Sequence, residues 1–189
     1  MNKKHKVETK RKKSLVRELA EIIIPALLLY LFIHIFLQTV QVDGESMFPN
    51  LHNGDYLIAS KMSYKVSTPH RGDIVIFLPN NGDPRDYIKR VIAIPGDKLQ
   101  INNAQVFING KKLHEDYLNE TWIWKTSWNN GTPTILGANQ YFVMGDNRNN
   151  STDSRIFGTQ NKEQFLGNAW VRLWPLSNFE VFAPDSKIY

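Results

Sequence analysis

Two residues in separate segments have side chains that could together carry out nucleophilic catalysis. Ser46 lies in a turn-like stretch, and Lys89 interrupts an otherwise apolar, strand-like run. A serine hydroxyl becomes a strong nucleophile when a base takes its proton, and a lysine is such a base only while its amine is neutral. Strand alternation places this lysine on one face with Tyr87, Val91 and Ala93, where desolvation would favour the neutral amine. Taken alone, a loop serine and an exposed strand lysine are the commoner interpretations.

A third segment, residues 145–155, gathers polar and charged side chains directly after a predicted strand. It reads GDNRNNSTDSR. By composition it is a polar surface turn that could bind calcium. Against calcium, it lacks the terminal glutamate that holds the ion through both oxygens, and it contains two arginines.

Other familiar catalytic and metal-binding patterns are missing from the sequence. The histidines beyond the apolar segment are isolated and predict neither a metal site nor a catalytic histidine: His52, His70 and His114. The chain contains no cysteine, which excludes disulfides, thiol catalysis and thiolate metal sites. It also lacks a Gly-x-Ser-x-Gly turn, a phosphate-binding loop and a dinucleotide fingerprint.

The net charge of +5 comes from the N-terminal end of the chain. Residues 1–17 hold eight of the 23 Lys and Arg residues but one of the 18 acidic residues. The remainder, with 15 basic and 17 acidic residues, is slightly acidic. A nucleic-acid partner is therefore not predicted.

A long apolar segment follows this basic tail. Residues 22–37 contain no charged side chain, and the 19 residues up to Val40 match the length of a helix that crosses about 30 Å of hydrocarbon. A cleavable signal peptide starts similarly but would end in small residues, which are missing here. We predict an uncleaved anchor at 20–41 and assign no catalytic role to His34.

The basic tail also predicts the orientation of the anchor in the cell membrane. Segments rich in Lys and Arg stay on the cytoplasmic side. Residues 1–19 are therefore expected to form a cytoplasmic tail, and residues 42–189 an extracytoplasmic domain.

Short β-rich runs separated by turn residues dominate the remainder of the chain. The predicted strands are Tyr56–Ser60, Ile74–Leu78, Tyr87–Ile94, Gln105–Ile108, Tyr141–Met144 and Ala169–Leu173. Asn109-Gly110 predicts a hairpin turn before a Lys-Lys-Leu run. The fold class is mainly β, with twisted antiparallel sheets or a pseudo-barrel and a single N-terminal transmembrane helix.

Three tryptophans, Trp122, Trp124 and Trp128, lie close together in a polar stretch. They could form a small satellite core beneath a long loop. Equally, they could form an aromatic surface at the membrane interface, where such rings favour the headgroup layer.

The order of four motifs behind a single anchor resembles type I signal peptidase, in its short, Gram-positive-like form. These motifs are Ser46-Met-Phe-Pro49, Gly72-Asp-Ile-Val75, Lys89-Arg-Val-Ile-Ala-Ile-Pro-Gly-Asp97 and Gly145-Asp-Asn-Arg…Ser-Thr-Asp-Ser-Arg155. The match covers residues 20–175. It implies a membrane-bound serine endopeptidase that removes signal peptides from exported preproteins and uses no metal or cofactor.

The resemblance also implies a role for each matching residue. Ser46 corresponds to the nucleophile, Lys89 to the general base, and Ser151 to a serine that orients the lysine amine by a hydrogen bond. Residues corresponding to site support are Asp146, Asp153, Arg155 and Arg90. The motif with Gly72 and Asp73 is structural.

Two positions depart from the pattern of the family. Gly44 stands where some members carry a hydroxyl that helps to bind the oxyanion, so the backbone N–H of Ser46 must serve. Such a donor is typically worth roughly 3 kcal/mol in the transition state. Ala93 stands where many members have glycine, and we expect little effect from it.

The resemblance implies cleavage after small residues, as in Ala-x-Ala, because shallow apolar pockets reject large side chains. Candidate pocket residues, chosen by their proximity to the two catalytic candidates, are Val42, Met47, Leu51, Tyr87 and Ile88. A self-cleaving regulator can share a serine–lysine pair, but the sequence indicates no DNA-binding domain. A signal-peptide-binding or scaffold homologue without activity is the non-enzymatic alternative.

Overall fold

The computed structural model describes residues 15–123 and 128–182. Within these residues the chain forms a long N-terminal helix, two short helices and two antiparallel sheets. The helices are α1 (Leu15–Phe36), α2 (Ser63–Val66) and α3 (Ser154–Phe157). The strands are β1 (Leu37–Gln41), β2 (Tyr56–Ser60), β3 (Ile74–Phe77), β4 (Tyr87–Ala93), β5 (Lys98–Asn102), β6 (Gln105–Ile108), β7 (Lys111–Lys112), β8 (Thr134–Ile135), β9 (Phe142–Met144), β10 (Phe165–Trp174) and β11 (Glu180–Val181). The predicted fold class, mainly β with one N-terminal apolar helix, is confirmed.

Helix α1 carries its charged residues, Arg17, Glu18 and Glu21, in its first two turns, and from Ile22 onward it is apolar around its circumference. Its 22 residues are long and apolar enough to cross a membrane, and none of its side chains is buried. Pro25 lies inside the helix. A helix without a polar face is typical of a membrane span, because a helix on a soluble core keeps a polar stripe.

The predicted anchor, 20–41, ends too late. Helix α1 stops at Phe36, and residues Leu37–Gln41 form strand β1, which pairs antiparallel with β2. Polar Gln38, Thr39 and Gln41 lower the apolar character there, and backbone pairing with Tyr56–Ser60 satisfies the hydrogen bonds of an extended chain. The sheet domain therefore begins five residues earlier than the sequence indicates.

The larger sheet contains the segments that carry the candidate catalytic residues. Its strand order is β1-β2-β10-β3-β4-β9, with β11 paired to β10. Strand β4, which contains Lys89, pairs with β3 along Tyr87–Arg90 and with β9 along Arg90–Ala93. The part of β4 before Arg90 consequently has no strand on its second edge within the described residues.

The smaller sheet has the order β7-β6-β5-β8. The hairpin predicted at Asn109-Gly110 joins β6 to β7, and both residues adopt a positive φ, 53° and 83°. Such a turn favours Asn and Gly, because neither is strongly penalised in the left-handed region. The core of this sheet continues into the larger one through Ile92, Phe142 and Met144.

Trp122 and Trp128 both pack with the core of the smaller sheet. Trp122 is buried, and the ring of Trp128 lies edge-on to Phe142 with 4.9 Å between centroids. The packing of these two residues agrees with a core beneath a loop rather than with an aromatic surface at the membrane interface. Trp124 lies outside the described residues.

Replacing Phe77 by alanine should destabilise the domain strongly. Phe77 is completely buried in β3 and contacts the rings of Tyr87, Phe157 and Phe165. We expect the free energy of unfolding to fall by about 3–5 kcal/mol, measured by denaturant unfolding of the full-length protein in detergent. Phe179→Ala, at a phenylalanine that is 56% exposed, should stay within about 0.5 kcal/mol. Equal losses in both variants would contradict this assignment of the core.

Candidate active site

Backbone contacts hold the Ser46 turn on both sides. Before it, Val42 N–H donates to the carbonyl oxygen of Asp55 over 2.8 Å. After it, the side chain of Met47 is 1% exposed and packs in a core cluster that includes Leu57 of β2 and Ile74 of β3. The carbonyl oxygen of Ser46 accepts a hydrogen bond of 3.0 Å from the N–H of Asn147. The turn therefore presents the serine hydroxyl from a fixed backbone.

The amine of Lys89 reaches this hydroxyl. Lys89 Nζ donates hydrogen bonds to Ser46 Oγ over 2.8 Å and to the carbonyl oxygen of Ile88 over 2.9 Å. Its side chain also passes the ring of Tyr87, with Nζ 5.2 Å from the ring centroid. The tertiary fold thus brings together two residues that are 43 positions apart in sequence.

Lys89 is only 4% exposed, which confirms the predicted desolvation. Burial lowers the pKa of its amine from 10.5 to about 8, because charge is costly away from water. Asp153 and Asp146 oppose this effect on the pKa, and Arg155 reinforces it. A substantial neutral fraction of the amine near neutral pH is the state that a general base requires.

The first supporting ion pair joins Arg90 to Asp146. Arg90 Nε and Nη2 donate to the two carboxylate oxygens of Asp146 over 2.8 and 2.6 Å. Arg90 Nη1 donates to the carbonyl oxygen of Gly72, and Asn50 Nδ2 donates to Asp146 over 2.9 Å. Gly72 therefore supports the site through its backbone. The pair holds the start of segment 145–155 against β4.

The second ion pair joins Arg155 to Asp153. Arg155 Nε and Nη2 each donate to the Asp153 carboxylate over 2.8 Å, and the N–H of Gly145 donates to it over 3.0 Å. Although burial alone would raise the pKa of this carboxyl, the hydrogen bonds and charge of Arg155 lower it. Asp153 is therefore an anion that closes segment 145–155 into a compact loop.

The structure departs from the role expected for Ser151. Lys89 Nζ donates to Ser46 and to the Ile88 backbone, as described above, and Ser151 Oγ is buried without a hydrogen-bond partner among the described residues. The Ser151 hydroxyl lies close enough to Asp153 to help lower its pKa, but not in hydrogen-bond geometry. The expected bond between Ser151 and the lysine amine is therefore not formed in this structure.

Several residues that the sequence did not single out complete the site. Asn50 joins Asp146 to the carbonyl oxygen of Tyr117, and Arg148 is buried and paired with Glu115. Arg148 lies within the Gly-Asp-Asn-Arg motif, which was a usable signal. No signal marked Glu115 and Tyr117, because they lie in an ordinary polar run.

An open groove of about 680 Å³ runs past Ser46 and Lys89. Four of the predicted pocket residues line it: Val42, Met47, Tyr87 and Ile88. The fifth, Leu51, is completely buried in the core and does not line the groove, so its prediction is wrong. The rim includes Asp43, Glu45 and Arg85. An extended peptide can therefore lie beside the serine hydroxyl.

Replacing Gly145 by alanine should disrupt the site. A Cβ there would clash with Ser151 Oγ and with the carbonyl oxygen of Ser46, and the backbone atom cannot move without moving the serine. We expect activity to fall about 100-fold, measured as kcat/KM on a peptide substrate, because small displacements of reacting groups have effects of that size.

The matched control for this substitution is Gly137→Ala. The atoms nearest to its added Cβ belong to the side chain of Gln140, at 3.2 Å or more, so a shift of a few tenths of an ångström would accommodate the methyl group. Activity should stay within twofold of the unsubstituted protein, on the order of a surface change. Equal losses in the two variants would show that the close packing at Gly145 is not what positions Ser46.

A family model and two relatives agree on one family. A family model described as signal peptidase, peptidase S26, matches residues 16–174. The chain is 34% identical to a probable signal peptidase I-2 of Synechocystis over 90% of this chain and 78% of that protein. It is 33% identical to signal peptidase IB of Staphylococcus aureus over 93% of this chain and 98% of that protein. A crystal structure of a signal peptidase I from Enterococcus faecalis is 31% identical, with a TM-score of 0.47, covering 54% of this chain and 97% of that one.

Proposed function

Because the chain belongs to the signal peptidase family, peptidase S26, we propose that it removes signal peptides from exported preproteins with Ser46 as nucleophile and Lys89 as general base. The family is one of serine endopeptidases, and the apolar helix α1 would anchor this member in a membrane. The observation that carries the proposal is the 2.8 Å hydrogen bond between a buried lysine amine and a serine hydroxyl in an open groove.

In the first step the neutral amine of Lys89 takes the proton of Ser46 Oγ as the oxygen attacks the scissile carbonyl carbon. The new C–O bond forms while the carbonyl π electrons move to the oxygen. Collapse of this intermediate breaks the C–N bond, and Lys89 returns its proton to the leaving amine. The mature protein departs, and the signal peptide remains as an ester on Ser46.

In the second step a water molecule enters the place that the amine has left. Lys89 takes a proton from this water, the hydroxide attacks the ester carbonyl, and the C–O bond to Ser46 breaks. The proton then returns to Ser46 Oγ. The neutral lysine is regenerated, so the cycle needs no further reactant.

The N–H of Ser46 is the proposed donor to the oxyanion. It donates no hydrogen bond to another group among the described residues. Its backbone is fixed by the bond from Asn147 N–H to the Ser46 carbonyl oxygen. A donor that is fixed in advance stabilises developing charge without reorganisation. Gly44, two residues earlier, contributes no side-chain donor.

The substrate backbone is proposed to lie extended between two strand edges. One is the edge of β4 at Tyr87–Lys89, which β9 does not cover, and the other is the segment from Val40 to Gly44. Main-chain hydrogen bonds to such edges bind an extended peptide regardless of most side chains. Met47 and Ile88, which line the groove next to Ser46, are proposed to form a shallow apolar pocket that accepts small residues such as those in Ala-x-Ala.

The anchor gives the reaction a fixed place. With the basic tail in the cytoplasm, the sheet domain would lie on the outer side, where signal peptides emerge. Confinement of enzyme and substrate to one membrane surface raises their effective concentration and fixes the height at which cleavage takes place.

Cleavage by the unsubstituted protein, Ser46→Ala and Lys89→Ala tests the reaction directly. A substrate with an Ala-x-Ala end should be cut after the final alanine, with the site read from product masses. Either substitution should lower the rate by at least about 1,000-fold, because the nucleophile and its base act as a unit. Circular dichroism must show that both variants are folded.

Other outcomes of this experiment have definite meanings. Activity that survives both substitutions would assign the cleavage to another nucleophile or to a contaminant. Binding of the signal peptide without any cleavage by the unsubstituted protein would favour the inactive binding homologue instead.

The rate should rise with pH through the pKa of Lys89. Because burial lowers that pKa to about 8, the neutral and active amine accumulates as pH rises. Below this pH, kcat/KM should increase about tenfold per pH unit, and it should level off above it. Measurements from about pH 6 to about pH 9 bracket the transition expected at roughly pH 8. A value of kcat/KM that does not change over this range would contradict a lysine base.

A further inference from the structure

We propose that residues 115–123, here called the covering segment, act as a positioning element of the active site. The segment lies between β7 and β8, outside the four motifs, and it packs aromatic rings on arginines that hold the carboxylates near Lys89. The proposal rests on Ser46 and Lys89 acting as proposed above, but it does not depend on the identity of the substrate.

Tyr117 contacts Arg90 of the first ion pair directly and is linked to Asp146 through Asn50. The centroid of its ring lies 4.3 Å from Cζ of Arg90, a distance typical of a cation–π contact. Its carbonyl oxygen accepts a hydrogen bond of 2.8 Å from Asn50 Nδ2, and the same amide donates to Asp146. Tyr117 therefore limits the movement of Arg90 from one side and supports Asp146 through Asn50.

Trp122 lies against the second ion pair. Its ring centroid is 5.3 Å from Cζ of Arg155 and 5.2 Å from Cζ of Arg148, and the residue is 4% exposed. The two arginines are joined, since Arg155 Nη1 donates to the carbonyl oxygen of Arg148 over 2.8 Å. One indole thus shields both guanidinium groups from water.

Polar contacts attach the covering segment to segment 145–155. The carboxylate of Glu115 accepts hydrogen bonds from the guanidinium of Arg148. At the other end, the N–H of Ile123 donates to Asn149 Oδ1 over 2.9 Å. On its opposite side, the segment packs with the core of the smaller sheet through Leu118 and Trp122. The smaller sheet therefore supports segment 145–155 through the covering segment.

The position of the arginines matters because charged groups surround Lys89 closely. Asp146 and Asp153 favour the ammonium form, and Arg155 disfavours it. Each carboxylate is balanced by its own arginine, Arg90 for Asp146 and Arg155 for Asp153. If a guanidinium moves away or becomes hydrated, it neutralises less of the negative charge of its carboxylate. The carboxylate then attracts a proton to the Lys89 amine more strongly. Protonation of the lysine then becomes easier, and a higher pH is needed for catalysis.

The test uses Tyr117→Leu and Trp122→Leu in the full-length protein in detergent. The rate at which a fluorophosphonate labels Ser46 is measured against pH, together with cleavage of a signal peptide. The labelling rate should rise with pH toward a plateau, and its midpoint is the pH at which the rate is half of the plateau value. We expect this midpoint to rise by about one pH unit in each variant. Labelling should therefore slow about tenfold at neutral pH and recover toward the unsubstituted rate at high pH.

Two further variants separate positioning from general stability. Tyr117→Phe keeps the ring over Arg90 and removes only the hydroxyl, which donates to Glu115 over 2.8 Å and accepts from Arg148 over 3.2 Å. Because the proposed effect comes from the ring on Arg90, its midpoint should match that of the unsubstituted protein. Trp128→Leu removes another aromatic residue that packs with the same core but has no arginine contact among the described residues. It should lower the melting temperature without moving the midpoint. If Tyr117→Leu does not fold, Tyr117→Met preserves more of the volume without a ring.

The outcomes that overturn the proposal are definite. One such outcome is a labelling rate that falls by the same factor at every pH. Another is a pH midpoint that moves as far in Trp128→Leu as in Trp122→Leu. Either result would show that the covering segment has only a structural role. An unshifted midpoint in folded Tyr117→Met would do the same for Tyr117. If the unsubstituted protein is labelled at Ser46 but cleaves no signal peptide, the proposed function fails, whereas the labelling profiles still test the covering segment.

Discussion

The hydrogen bond between the buried amine of Lys89 and the hydroxyl of Ser46 is the interaction on which the rest of the structure depends. An ammonium ion loses much of its hydration when buried, so the amine of Lys89 gives up its proton more easily than a surface lysine does. The same burial requires that charged groups nearby are paired. The sheet supplies this environment because β4 pairs with β3 and, from Arg90 onward, with β9, and the Ser46 turn places its hydroxyl 2.8 Å from the Lys89 amine.

The two aspartate–arginine pairs follow from this requirement. A carboxylate near Lys89 favours the ammonium form, whereas the same carboxylate bound through two hydrogen bonds to an arginine does so much less. Buried ion pairs contribute little net stability, so their role here is better understood as fixing geometry. The close packing of Gly145 between Ser151 and the Ser46 carbonyl shows how little movement this arrangement allows.

Local pattern sufficed for most strands but not for the ends of elements. The six predicted strands and the Asn109-Gly110 hairpin are present, since alternation and turn residues are local signals. Strand β1 was taken for the end of the helix, because its apolar residues continue the helical run and only pairing with β2 makes it extended. Strand β5 was missed although Leu99 and Ile101 alternate with polar residues, a signal that was present. Leu51 was included among the groove residues because it is close to Ser46 in sequence, but its side chain lies in the core.

The sequence by itself determined the apolar helix, the predominance of antiparallel strands, the family and the two catalytic candidates, because these depend on composition, periodicity and ordered motifs. Only the tertiary structure decided which atoms meet. It directed the Lys89 amine to Ser46 and the Ile88 carbonyl rather than to Ser151, and it brought Glu115, Tyr117 and Trp122 onto the arginines. Such contacts depend on how two sheets and their loops pack in three dimensions, and a polar run such as residues 114–120 has no periodicity from which that packing could be predicted.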